Sequence, residues 1–168
     1  MRHVDRKSIE DAMAAPHPVA RLSEIGELQG WCVAALRQWS AGPDGQAAVW
    51  NALAVRAGPR AARGVLRRFE TLTGLLRAHG SRPLRCRPVG CGLVGLEEAS
   101  FAQFVETSAT GPREDAMLRA MVILRPDLAS MAVCHAQDLG LSLLRLAPIG
   151  GAVGGAEAVA PATPRRLH

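Results

Sequence analysis

GCGLVG, residues 90–95 (Gly90-Cys91-Gly92-Leu93-Val94-Gly95), has the G-x-G-x-x-G spacing of a dinucleotide-binding loop. Its reading decides between an α/β chain and an all-helical one. A dinucleotide fingerprint needs a buried strand before it, a helix after it and a second strand to complete the unit. The preceding residues, SRPLRCRPV at 81–89, contain two prolines and three arginines, a poor buried strand. After the following helix come Gly111-Pro112 and a further helix, with no strand. Glu97 and Glu98 also fall in the first helical turn, where a pyrophosphate needs bare amide groups. The motif therefore reads as a turn leading into a helix, and no cofactor is expected.

Outward from this turn, the chain is punctuated by Gly and Pro into helical lengths. Upstream, Pro59–His79 carries the apolar stripe Ala62, Val65, Leu66, Phe69, Leu72 and Leu76, with Gly80 as its stop. Before it, Ser23–Trp39 (Ser23 as N-cap) and 45–57 (Asp44 as N-cap) read as helices, the latter ended by Gly58-Pro59. Downstream, Glu97–Thr110 and 113–124 follow, the latter with Met117, Ala120, Met121 and Leu124 inward. The last helix runs from Arg125 to Leu139 on the stripe Leu128, Met131, His135 and Leu139, with Gly140 as its stop. LSLLRL, 141–146, reads as a short strand or a packed extension. The expected fold is an all-α bundle of about six helices with short Gly/Pro loops and one long loop at 80–95.

The expected organisation is an N-terminal segment at 1–20, flexible or forming a short polar helix over Asp5–Ala14, a helical domain at 21–147 and a low-complexity flexible tail at 148–168. The length, 168 residues with 48% hydrophobic and 21% charged, suits one domain. Aromatics are only 4%, so Leu, Ala, Val and Met are expected to fill the core. No stretch approaches the roughly 18 apolar residues of a membrane span, and no targeting pattern precedes residue 18. The expected location is cytoplasmic, without membrane contact.

Catalytic chemistry is hard to assemble. Cys86, Cys91, Cys134 and His135 are potential zinc ligands, but the spacing is loose, and adjacent helical residues such as Cys134 and His135 diverge by about 100°. His135 reads instead as a core histidine. Cys91, between glycines and near Arg85 and Arg87, suits a nucleophilic thiol, yet nothing ties His79 or His135 to it as a base. The acid pairs Glu97-Glu98 and Glu114-Asp115 lie in first turns, where the helix dipole favours them for structural reasons. No catalytic residue, metal ligand or small-molecule ligand is assigned, and the chain is expected not to be an enzyme.

Charge is the best functional signal. Residues 56–87 hold nine Arg and one acid, Glu70, a net of +8 within a chain of net +5. Arg60, Arg63 and Arg67 recur at steps of three and four, opposite the apolar stripe, and Arg85 and Arg87 carry positive charge into the loop. Such a face suits an acidic protein partner, self-association or phosphate backbones. No Tyr exists and Phe69 faces inward, so stacking platforms for bases are lacking. The expectation is a protein-binding or regulatory module using Arg60, Arg63, Arg67, Arg85 and Arg87. Nucleic-acid binding through the same block is the alternative, and a small metal- or thiol-dependent enzyme a second one.

Overall fold

The computed structural model describes residues 18–146. The chain is mostly helical with one small two-stranded sheet. In order come β1 (Pro18–Arg21), α1 (Glu27–Ser40), α2 (Pro43–His79), β2 (Leu93–Gly95), α3 (Leu96–Thr110), α4 (Arg113–Ile123) and α5 (Ala129–Leu144). Single 3₁₀ turns, Leu22–Glu24 and Pro126–Leu128, lead into α1 and α5. Among the described residues no helix is long and apolar enough to cross a membrane.

Five helices stand where about six are expected, because the break at Gly58 is a one-residue kink. Gly58 takes φ 74° and ψ 159°, and helix resumes at Pro59, whose missing N–H is no loss at a first turn. α2 also starts earlier than expected, at Pro43, which makes Asp44 a first-turn residue and not the N-cap. Gly45 is buried there because a Cβ would stand 1.9 Å from the Gln38 carbonyl oxygen of α1. Ser23 likewise lies in the 3₁₀ turn, and α1 begins at Glu27.

The core is built around α1, whose run Trp31-Cys32-Val33 and Ala35-Leu36-Arg37 is buried nearly all the way round. α2 presents the expected stripe, with Ala62, Val65, Phe69, Leu72 and Leu76 buried. The Phe69 ring meets Trp31, Trp39 and Phe101 edge-on, at centroid distances of 5.9, 5.7 and 6.2 Å. The few aromatics thus occupy the centre, while Met121 and Met131 are exposed, contrary to the expected Met-containing core.

The last helix decides between two alternatives and corrects two expectations. LSLLRL is the packed extension and not a strand: α5 continues to Leu144. Gly140 is not a stop but a close-packing position, since a Cβ there would lie 2.6 Å from Ala109 Cβ on α3. The buried face is Ala129, Ala132, Val133, Ala136, Leu139 and Gly140, one step round from the expected stripe, so Met131 is exposed and His135 half-buried. Small residues let α5 approach α3 closely, and that preference outweighs the larger side chains next to them.

β1 pairs antiparallel with β2, Ala20 opposite Val94 and Arg21 opposite Leu93. The N-terminal end of the described chain is thereby fastened to the glycine motif. The expected helix at Asp5–Ala14 and the tail at 148–168 lie outside the described residues.

Candidate functional site

Arg60, Arg63 and Arg67 are all exposed on the outer face of α2, opposite buried Val65, Phe69 and Leu76. Arg77 extends the exposed charge to the end of the helix. At 1.5 Å per residue, Arg60 to Arg77 spans about 25 Å, so the charges form a track and not a compact cluster. The side chains of Arg60, Arg63, Arg67 and Arg85 make no hydrogen bond or ion pair with any described residue. Glu70, the one acid of the block, is also exposed on α2. Of the seven acids at 88–140, Glu98 is paired with Arg37, Asp127 with Arg125, and Glu106 accepts from Gln29.

The loop after α2 is held down by a buried charge pair. Arg37 is 3% exposed and Glu98 0%. The guanidinium Nε and Nη2 each donate to the Glu98 carboxylate at 2.8 Å, a two-point pairing. The same guanidinium donates to the carbonyls of Cys91 and Leu93. Glu98 in turn accepts from the backbone N–H of Arg87 at 2.8 Å and of Gly95 at 2.9 Å. Desolvation opposes the Arg37 charge, but the hydrogen bonds and attraction of Glu98 prevail and raise its pKa above the ordinary value.

The glycine motif is explained by this network. A tight turn brings the Cys91 N–H to the Pro88 carbonyl, with Gly90 at φ 86°. β2 follows, and the amide of Gly95, the N-cap of α3, is engaged by the chain's own Glu98. The turn is therefore followed by a three-residue strand before the helix, an element absent from the sequence reading.

Arg87 is half-buried at the network's edge, whereas Arg85, two residues earlier, is exposed. Leu84 and Cys86, on either side of Arg85, pack inward. The Cys86 thiol lies 3.4 Å from Ser40 Oγ, and burial pushes its pKa up. Cys134 is exposed on α5, not a core residue. Among the described residues no three His, Cys, Asp or Glu side chains group as metal ligands, so Cys86 and Cys91 do not converge with Cys134 and His135.

A half-open cavity of about 260 Å³ lies beyond the end of α2, walled by Leu76, Leu84, Leu96, Phe101 and Val122, with Arg82 and Glu97 also lining it. The sequence reading did not find it, because its walls come from three separate segments. Arg37 was passed over as well. Its one local signal is the apolar run Trp31–Leu36 beside it, which leaves α1 only a narrow solvent-facing strip.

No family model matches the chain, and no curated protein or solved structure matches it.

Proposed function

We propose that the chain is a non-enzymatic, cytoplasmic protein-binding or regulatory module that engages an acidic protein partner. The contact is the α2 track of Arg60, Arg63 and Arg67, with Arg85 on the anchored loop and Arg87 at its margin. The observation that carries this reading is that the four exposed arginines lack any partner among the described residues. Charges held on a rigid helix steer an oppositely charged partner and set its register. Arg is also a frequent hot-spot residue, because its planar fork pairs with carboxylates at two points. The Arg37–Glu98 network supports the same reading by fixing the loop that carries Arg85.

A track of about 25 Å also suits a phosphate backbone, and nucleic-acid binding is the second reading. Capture of partners by the tagged protein, with and without nuclease, separates the two. A protein that survives nuclease and is lost with Arg60→Glu plus Arg63→Glu supports the first. Material that disappears with nuclease, and whose affinity falls steeply with salt, supports the second. Capture unchanged by the charge reversals refutes both.

A further inference from the structure

The cavity beyond the end of α2 is walled mainly by hydrocarbon, yet two side chains of opposite charge, Arg82 and Glu97, line the same space. They form no ion pair with each other. Neither side chain has a hydrogen-bond or ion-pair partner among the described residues. One Glu97 carboxylate oxygen, Oε2, is closed off from solvent and unpartnered, so the group depends on its other oxygen for compensation. An apolar chamber on which a few polar groups converge is the form of a small-molecule site.

The walls are fixed in place before any ligand arrives. The Ser81 N–H donates to the Ile123 carbonyl at 3.0 Å, and Gly80 bridges Leu124, which ties the start of the 80–95 loop to the end of α4. Leu84 packs against the core two residues after Arg82. On α3 the adjacent acids divide: Glu98 is locked onto Arg37 in the interior, and Glu97 is left at the cavity. Val122, 74% exposed, stands at the open side and leaves a way in.

Size and charge together specify the occupant. A cavity of about 150 Å³ accommodates one benzene ring, so 260 Å³ takes a molecule of about ten non-hydrogen atoms. The hydrocarbon of Leu76, Leu84 and Phe101 suits a compact apolar body. Glu97 suits an ammonium, and the planar fork of Arg82 suits a carboxylate. The two charges cancel, which favours a zwitterion over a net cation or anion.

We propose that this cavity binds a free apolar α-amino acid of about the size of leucine, isoleucine or methionine. The ammonium meets Glu97, the carboxylate meets Arg82, and the side chain lies among Leu76, Leu84 and Phe101. The site shares no residue with the α2 arginine track, and it holds or fails independently of that reading.

Isothermal titration calorimetry of the full chain with L-leucine, L-isoleucine and L-methionine tests it. At least one should bind with a micromolar to low-millimolar Kd. Isocaproate, which lacks leucine's amine, and isoamylamine, which lacks its carboxylate, should each bind about tenfold or more weakly, because each leaves one charge of the site unpaired. Glycine, without the apolar body, should not bind. Arg82→Ala and Glu97→Gln should each weaken binding about tenfold with helical circular dichroism unchanged, since neither side chain holds another part of the fold. Arg60→Glu with Arg63→Glu should leave it as it was. Absence of binding by all three amino acids at millimolar concentration overturns the proposal. So does a single-charge analogue that binds as tightly as leucine, or a folded Arg82→Ala or Glu97→Gln variant that keeps full affinity.

Discussion

Replacing Glu98 by Ala removes the acceptor of four hydrogen bonds at once: two from the Arg37 guanidinium and one each from the backbone N–H groups of Arg87 and Gly95. The Arg37 cation is then left in the core with only the carbonyls of Cys91 and Leu93 as acceptors. Breaking a buried pair from one side costs about 3–5 kcal/mol, because the surviving charge stays desolvated. The two orphaned amides add to that, at about 1 kcal/mol or more each. A loss of about 5–7 kcal/mol is a large part of the 5–15 kcal/mol typical of a whole domain. In urea, with a slope of about 2 kcal/mol/M, the midpoint should fall by about 2.5–3.5 M at unchanged slope. Arg37→Ala alone leaves Glu98 its two amide donors, and the double variant should lose less than the sum of the single ones. A Glu98→Ala loss below about 1 kcal/mol, or strict additivity, would show that the pair is solvated and that the account of the anchored loop is wrong.

The glycines of the opening motif should separate by geometry. Gly90→Ala, at φ 86°, should cost about 1 kcal/mol, and Gly92→Ala, with nothing within 4 Å of the added Cβ, should be nearly neutral in the same urea titration. Gly45→Ala should cost more than either, about 2 kcal/mol or above, since backbone of α1 blocks the Cβ; a neutral Gly45→Ala would refute the close α1–α2 junction. Stability should also fall at alkaline pH. Burial, and secondarily the Glu106 carboxylate, pushes the Cys32 thiol far above its ordinary value. Above about pH 8.5 the unfolded chain loses this proton while the folded chain keeps it, a loss of about 1.4 kcal/mol per pH unit that is absent below pH 8. Cys32→Ala should reduce the slope of stability against pH between 9 and 10.5 by that amount, and an unchanged slope would place the thiol in contact with solvent.

The sequence was most legible where one local signal acted alone. Helix α3, expected from Glu97 to Thr110, runs from Leu96 to Thr110, because its start is set by adjacent acids and its end by Gly111-Pro112. The α2 stripe was legible because its large side chains repeat on one face only. On α4 and α5 the two faces compete, and close approach of α5 to α3 selected Ala136 and Gly140 over Met131 and His135, a tertiary choice that periodicity does not contain. The Arg37–Glu98 pair joins positions 61 residues apart, and each residue alone reads as a surface charge. The β1–β2 pairing was hidden for the same reason: strands of four and three residues carry too little alternation to be seen before their partner is known. Of the Arg face, both its exposure and its length along α2 were legible in the helical spacing, because Arg60 to Arg77 lies within the expected Pro59–His79 helix.

The edge-on ring cluster around Phe69 has a spectroscopic consequence. The three tryptophans are Trp31, Trp39 and Trp50, the chain contains no tyrosine, and all three indoles sit in α1 and the first part of α2. Ultraviolet emission therefore reads one half of the molecule, chiefly the packing of Trp31 and Trp39 on Phe69. Helices α3 to α5 contribute to far-ultraviolet circular dichroism but carry no emitting indole of their own. A fluorescence transition and a dichroism transition that separate under denaturant would locate which half opens first, with no label added.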